Sequence, residues 1–422
     1  MRDLLKRRPV LAWALYDWAN SAFATTVMAG FFPTFFKQFW SVGADPTEST
    51  VRLGLANAAA GFVIALLAPV LGAIADRGGR RKQFLLAWTA LGVLATAGLY
   101  FVGQGQWQFA VLLFVLGTMG FNGAIVFYDS MLLDVARPAE FDRVSALGFS
   151  AGYLGGGLLF AFNVVLTLKP GWFGLAGPAA AVQLSFLSVA LWWLLFTIPL
   201  VRHVQPQQVV TPLPLARAVR AGIIELRETI RHVAGYRTIV VFLLAYWLYI
   251  DAVNTIIKMA IDYGLSLGLP AAGLLAALLL TQFVAFPAAL LFGYLGDRIG
   301  ARRGILIGLA VYIAVTIYAY FLDTVAEFYA MAVVVGLVQG GVQSLSRSLF
   351  GQMVPPGKNA EFFGFYNMMG KFATVLGPLL VALVAGITGD SRASILSLVI
   401  LFVAGALLLL RVPQTARSAA SS

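Results

Sequence analysis

The sequence predicts an all-α membrane protein of twelve transmembrane helices in two six-helix bundles, and three observations predict it. Of 422 residues, 60% are hydrophobic and 11% charged, and the mean hydropathy is +0.87. Soluble domains are roughly half apolar and a quarter charged. The apolar residues fall in runs about 20 residues long with no alternation of period 2, which is the length of a bilayer-spanning helix rather than a barrel strand. Because hydrocarbon offers no hydrogen bonds, each run has to satisfy its own backbone, and that selects helices. Finally, motifs in the first half return in the second at near-constant offsets.

Reading apolar runs between polar breaks places spans at 9–38, 51–75, 83–103, 108–135, 143–168, 179–201, 238–262, 271–295, 303–322, 327–349, 361–387 and 393–411. The basic and then apolar start resembles a signal peptide, but Asp17 and Asn20 interrupt the apolar stretch and no small-residue cleavage site precedes Phe23. A retained first span is expected.

Twelve spans put both termini on one side of the membrane. If that side is cytoplasmic, it receives 23 of the 29 Lys and Arg residues, as the positive-inside rule requires. The net charge of +11 is therefore expected to orient the chain and not to bind nucleic acid.

The predicted organisation is an N-terminal half at 1–201, a linker at 202–237, a C-terminal half at 238–411 and a tail at 412–422. Within the linker, Leu215, Val219, Ile223, Leu226, Ile230 and Val233 recur at helical spacing opposite Arg217, Arg220, Arg227 and Arg231. That pattern predicts an amphipathic helix on the cytoplasmic membrane surface.

Gly72, Asp76, Arg77, Gly79 and Arg81 recur as Gly293, Asp297, Arg298, Gly300 and Arg302, each 221 positions later. The same offset relates Ala139-Glu140-Phe141 to Ala360-Glu361-Phe362 and Gly156 to Gly377; Asp17 and Asn20 match Asp251 and Asn254 at an offset of 234. Copies running in the same direction, each of six spans, make a parallel repeat about an axis along the membrane normal, with the substrate site between the halves.

The loop Gly72-Ala-Ile-Ala-Asp76-Arg77-Gly-Gly79-Arg80-Arg81 and its second-half echo resemble the G-x-x-x-D-R-x-G-R-R signature of the major facilitator superfamily. The segments Tyr16-Asp17-Trp18-Ala19-Asn20-Ser21, Gln339-Gly340-Gly341-Val342-Gln343-Ser344-Leu345-Ser346-Arg347, Ala360-Glu361-Phe362-Phe363-Gly364 and Gly370-Lys371 narrow this to a branch similar to the autophagy-related vacuolar amino-acid effluxers and their bacterial relatives. The resemblance covers about residues 12 to 411 and implies amino-acid export. Two departures stand out: Tyr153 replaces the usual proline of the span 5 antiporter motif, and the span 4 arginine of many proton-coupled members is absent from 108–130.

An ionisable group inside a bilayer costs several kcal/mol (about 2.5 to 3.5 on insertion scales), so each one faces protein or water and is a functional candidate. Spans 3, 6, 9 and 12 carry no charge across their apolar centres, whereas Asp17, Asp129, Asp251, Lys258, Arg347 and Lys371 fall in spans 1, 4, 7, 10 and 11. The superfamily's architecture uses spans 1, 4, 7 and 10 to line the cavity.

The expected substrate or ion contacts are Lys371, Asp17, Asn20, Gln339, Gln343, Asp251, Asn254, Asn122, Tyr128 and Asn367. Lys371 lies ten residues past Glu361, about 15 Å along a helix, too deep to snorkel easily. As a cation it suits a substrate carboxylate, while Asp17 suits a proton or an ammonium group. The expected gating residues are Gly72, Asp76, Arg77, Gly79, Arg80, Arg81, Asp297, Arg298, Arg302, Asp129, Arg347, Glu140 and Glu361, an acid and arginine latch that pairs in one conformation and separates in the other.

No cysteine is present and the two histidines, His203 and His232, lie in the linker, which argues against a disulfide framework or a metal centre. No nucleophile, base and orienting group recur at useful spacing, so catalysis and a cofactor are not expected. The reading is a secondary transporter that exports a small solute, with an amino acid implied by the resemblance, working as a monomer in a bacterial cytoplasmic membrane with a proton as a candidate coupling ion. The rivals are a drug or lipophile exporter of the same fold and a non-transporting membrane sensor.

Overall fold

The structure is a computed structural model that describes residues 2–43, 46–205, 213–373 and 375–413. The tail from 414 and the linker segment 206–212 lie outside the described residues.

Among the described residues, eleven helices are long and apolar enough to cross a membrane. A further helical segment precedes them and completes twelve spans. This span 1, residues 8–40, starts as an α-helix at Arg8–Ala22 and widens to π-turns at Phe23–Phe31 and Phe36–Trp40. Pro33 sits between the two wide stretches and supplies no N–H to a regular ladder.

Spans 2 to 6 are Pro46–Gly78, Arg81–Gly98, Trp107–Ser130, Phe141–Leu168 and Pro178–His203. The connector helix is Leu215–Arg231. Spans 7 to 10 are Arg237–Ser266, Ala271–Ile299, Ala301–Ala319 and Val325–Gly351. Thr324 and Glu327 cap span 10 reciprocally, which satisfies two orphan N–H groups at its start.

Span 11 differs from the unbroken 361–387 helix that hydropathy predicts. It is two pieces, Asn359–Phe372 and Leu376–Thr388. Pro378 lies in the first turn of the second piece, where its missing N–H costs nothing but could not have continued a ladder from the first. Span 12 is likewise divided, into Ser391–Leu396 and Leu398–Leu410.

The charge-poor spans turn large side chains outward: Leu94 of span 3, Leu191 of span 6, Ile307 of span 9 and Ile400 of span 12 are all exposed. In lipid those chains lose nothing, so packing between spans depends on close fit and polar contacts instead of water exclusion. Span 2 meets span 11 where Gly72 lies against the Ala360 backbone and Gly364 against the Ala68 backbone. Span 5 meets span 8 where Gly293 faces Ala146 and where Ser150 Oγ donates to the Phe286 carbonyl at 2.8 Å. Glycine is needed at 72 because a Cβ there runs into the Ala360 carbonyl.

These contacts pair the two halves near the end of the bundle that carries Arg7, Arg77, Arg81 and Arg143, hereafter the basic face. At that face spans 2 and 8 end in turns through Gly79 (φ +63°) and Gly300 (φ +88°), a backbone region open to glycine and costly for other residues. The 221-residue repeat is thus visible as a positive-φ glycine at the equivalent turn of each half.

Candidate functional site

Span 10 is the source of the central cation. Arg347 is 2% exposed, and its charged end is inserted into the opposite half. Its Nη1 donates to Asp129 Oδ1 of span 4 at 3.0 Å and lies 3.7 Å from Asp17 Oδ2 of span 1. Nε and Nη2 donate to the Ser145 hydroxyl and carbonyl of span 5, both at 2.9 Å. The guanidinium also lies 4.8 Å from the Trp13 ring and 4.3 Å from that of Phe149. A buried cation is tolerable only when its donors are taken up and its charge matched, and Arg347 meets both conditions with partners from the other half.

The two carboxylates are held just as closely. Asp129 also accepts from Asn367 Nδ2 of span 11 at 3.1 Å, a second link across the halves. Asp17 accepts from the Tyr128 hydroxyl at 3.1 Å and from Ser21 at 3.4 Å. Tyr128 stacks on Trp13 at 4.6 Å, which fixes the ring that positions its hydroxyl.

This cluster forms part of the wall of a cavity of about 190 Å³ between the halves. Its wall combines Asp17, Ile125, Tyr128, Asp129 and Phe149 from the first half with Tyr246, Ile250, Asn254, Gln343, Arg347, Tyr366, Asn367, Gly370 and Lys371 from the second. Charges of both signs face one space together with the amides Asn254, Gln343 and Asn367 and an aromatic and aliphatic surface, a lining suited to a small molecule with an anionic end, a cationic end and an apolar part.

Of the expected contacts, Lys371, Asp17, Gln343, Asn254, Tyr128 and Asn367 line this cavity. Asn20, Asn122 and Gln339 do not; each is buried among the helices instead. Asp251 is also away from the wall: it accepts from the Leu376 and Gly377 amides, both at 2.9 Å, and so caps the second piece of span 11. Asp129 and Arg347, which their distance from the basic end assigned to the gate, are on the cavity wall. Their depth along the helix was legible, but not the direction around the helix axis in which each side chain points.

Phe149, Tyr246 and Tyr366 were not singled out from sequence. An aromatic ring on a spanning helix packs against lipid, core or ligand with the same local pattern, so no signal separates them. Tyr246 and Tyr366 stack at 4.3 Å and form one side of the cavity. Tyr153, where the superfamily's antiporter motif has proline, donates its hydroxyl to Gln343 Oε1 at 2.7 Å and so links span 5 to span 10.

The other residues expected to form the gate lie at the basic face. Asp76 Oδ2 accepts from the Glu361 amide of span 11 at 2.9 Å, and Arg81 ties Asp76 (3.5 Å) to Asp134 (3.0 Å). In the other half Asp297 pairs with Arg143 at 2.5 Å. Each motif aspartate therefore reaches the start of a helix belonging to the opposite half. Arg77 pairs with Glu225 of the connector helix, and Arg80 donates to the Leu213 carbonyl at 3.1 Å. Arg302 donates to the Val412 carbonyl at 2.6 Å, Glu140 pairs with Arg7 at 2.7 Å, and Arg298 is exposed. The side chain of Glu361 is buried, and its backbone makes the contact with Asp76.

Comparison with known proteins agrees with this architecture. A family model described as vacuole effluxer Atg22 like matches residues 47–141 and 134–420. An uncharacterized MFS-type transporter of Bacillus subtilis, YxiO, is 40% identical over 96% of this chain and 94% of its own. Autophagy-related protein 22 of Kluyveromyces lactis is 25% identical over 74% of this chain and 68% of its own. Among solved structures, the proton:xylose symporter XylE superposes with a TM-score of 0.71 at 15% identity, covering 97% of this chain and 95% of that one. The human organic anion transporter MFSD10 gives 0.69 at 16% identity, covering 95% and 99%. With the repeat, the paired Gly-Asp-Arg motifs and the central cavity in place, the chain belongs to the Atg22-like branch of the major facilitator superfamily of transporters.

Proposed function

We propose that this transporter exports a small zwitterionic solute, an amino acid or a close analogue, by alternating access, with the basic face cytoplasmic and closed in the state described here. The observation that carries this reading is that two acids, Asp17 and Asp129, and two cations, Arg347 and Lys371, line one cavity. A substrate carboxylate fits Lys371, an ammonium group fits Asp17, and Tyr246, Tyr366 and Phe149 accept a side chain.

Binding can drive the cycle because Asp17 and Asp129 also hold Arg347. A ligand ammonium that draws Asp17 away changes the balance of a link between the halves, and only such differential interaction can shift a conformational equilibrium. A proton taken by either carboxylate acts in the same sense and makes the proton the natural counter-ion. The matched family's description names efflux from a vacuole, which supports small-solute transport as the activity.

Proteoliposomes loaded with a radiolabelled amino-acid mixture test the reading. Wild-type protein releases label, and Lys371→Ala and Asp17→Asn each lower the rate by about tenfold or more, as loss of a buried charge contact predicts. Wild-type rates in both variants overturn the site assignment.

The aromatic side of the cavity supports a second reading, a lipophile exporter of the same fold. In that case amphiphilic dyes leave loaded vesicles, amino acids do not, and Tyr366→Ala is more damaging than Lys371→Ala.

A further inference from the structure

Asp17 and Asp251 are the same position in the two repeats, yet they do different work. In the first half, the helix facing Asp17 is span 5, which runs unbroken through Gly156 and Gly157. The carboxylate is left to Tyr128, Ser21 and Arg347 and faces the cavity. In the second half, the helix facing Asp251 is span 11. The 221-residue offset that matches Gly156 to Gly377 sets Pro378 where span 5 has Gly157, and there span 11 is broken.

Such a break deep in a membrane exposes backbone groups that cost several kcal/mol each if left unpaired. Span 7 supplies the partners. Asp251, fully buried, accepts from the Leu376 and Gly377 amides at the start of the second piece, and Thr255 donates to its Oδ1 at 3.3 Å. One turn away, Asn254 Nδ2 donates to the Ala373 carbonyl at the end of the first piece, at 3.2 Å. A carboxylate at a helix start and an amide at a helix end are the complements that the exposed groups and the helix dipole call for.

The two pieces have different attachments. The first is tied to the opposite half through the Glu361 amide on Asp76, Asn367 on Asp129 and the Gly364 approach to Ala68. The second carries the exposed Leu379, Leu383 and Ile387 and is capped by span 7 of its own half. Lys371 is in the last turn of the first piece, at the cavity wall and two residues before the break.

Building on the transport reading above, we propose that Asp251 is a positioning residue: with Asn254 it holds span 11 open at the break, so that Lys371 is presented to the cavity and the two pieces move separately in the transport cycle. The proposal makes the acid of the first repeat a cavity group and its second-repeat copy a backbone clamp.

The test compares wild type, Asp251→Ala, Asp251→Asn and Asp251→Glu in the full-length chain. Hydrogen–deuterium exchange of peptides covering Leu376 and Gly377, in detergent, reads the clamp without any substrate. Exchange there becomes about tenfold faster in Asp251→Ala, and less so in Asp251→Asn, which keeps one acceptor oxygen. Efflux of a radiolabelled amino-acid mixture from proteoliposomes reads the consequence: Asp251→Ala loses rate at saturating load, and Asp251→Glu recovers part of both readouts.

Unchanged exchange in Asp251→Ala overturns the clamp. Faster exchange with wild-type efflux overturns its part in transport, and a change of KM alone with unchanged exchange makes Asp251 a substrate contact instead. If wild type releases no amino acid, the transport reading fails while the exchange result still decides the clamp.

Discussion

Arg347 of span 10 donates to Asp129 of span 4 at 3.0 Å, across the boundary between two six-helix halves that share no covalent link except the 202–237 connection. Among the described residues, every polar partner of Arg347 belongs to the first half. The central cation of the cavity is therefore also a bolt between the halves, and any opening of the basic face would have to weaken it.

Removing that cation leaves Asp129 and Asp17 buried beside each other. Arg347→Ala is expected to lower stability by about 3–5 kcal/mol, the usual cost of breaking a buried pair by losing one partner. Arg347→Lys recovers only a fraction, because one ammonium cannot serve Asp129 and both Ser145 acceptors in the geometry of a guanidinium fork. Thermal unfolding in detergent, followed by the intrinsic fluorescence of the tryptophans, ranks the variants; equal melting points for Arg347→Ala and wild type refute the bolt.

Gly72 allows span 2 to touch the backbone of span 11 at Ala360. Gly72→Val should separate these helices and shift the population toward a state open at the basic face. The chain contains no cysteine, so a single cysteine replacing the buried Ser145, whose hydroxyl donates to the Ser344 carbonyl across the halves at 2.7 Å, reports opening by its reaction with a polar maleimide. Labelling is expected to rise severalfold in the Gly72→Val background and to stay low with Gly72 intact.

The connector helix gives Glu225 to both halves, since it pairs with Arg77 and, at 2.7 Å, with Lys358; Lys358 also donates to Thr229 at 2.7 Å. Glu225→Lys should release the helix from the basic face and raise tryptic cleavage after Arg227 and Arg231. Adding Lys358→Glu restores one pair and should return cleavage toward the wild-type rate. Identical proteolysis in all three proteins means that Glu225 contributes nothing to docking.

Tyr153 stands in for a proline, and its hydroxyl reaches Gln343 at 2.7 Å. Tyr153→Phe keeps the ring and removes one neutral hydrogen bond, with an expected cost of about 1 kcal/mol. Because the lost bond joins the halves, the efflux rate should change more than the melting temperature. A melting shift with unaltered efflux assigns Tyr153 to packing alone.

Much of the fold was legible in the sequence because lipid leaves a chain few choices. Hydropathy had to mark the spans, since each must bond its own backbone, and the near-constant offsets had to pair the halves. Pro378 was in plain view as well, but hydropathy is blind to a missing N–H and ran span 11 straight through it. The site was less legible. Asp17 and Lys371 could be chosen because a charge in hydrocarbon needs a reason, whereas Tyr246 and Tyr366 carry no such mark. Asn20, Asn122 and Gln339 have the depth and polarity of cavity residues, but their direction around the helix axis points them elsewhere.

By itself, the sequence determined the solvent of this protein, its spans, its duplication and the motifs at its basic face, because these depend on composition and on patterns carried by single helices. Only the tertiary structure decided which charges meet. It brought Arg347 to Asp129 and set Asp251 on the broken end of span 11, although the same repeat leaves Asp17 on the cavity wall. Those outcomes depend on helix rotation and on one residue, Pro378, in a neighbouring span, and neither acts through local sequence.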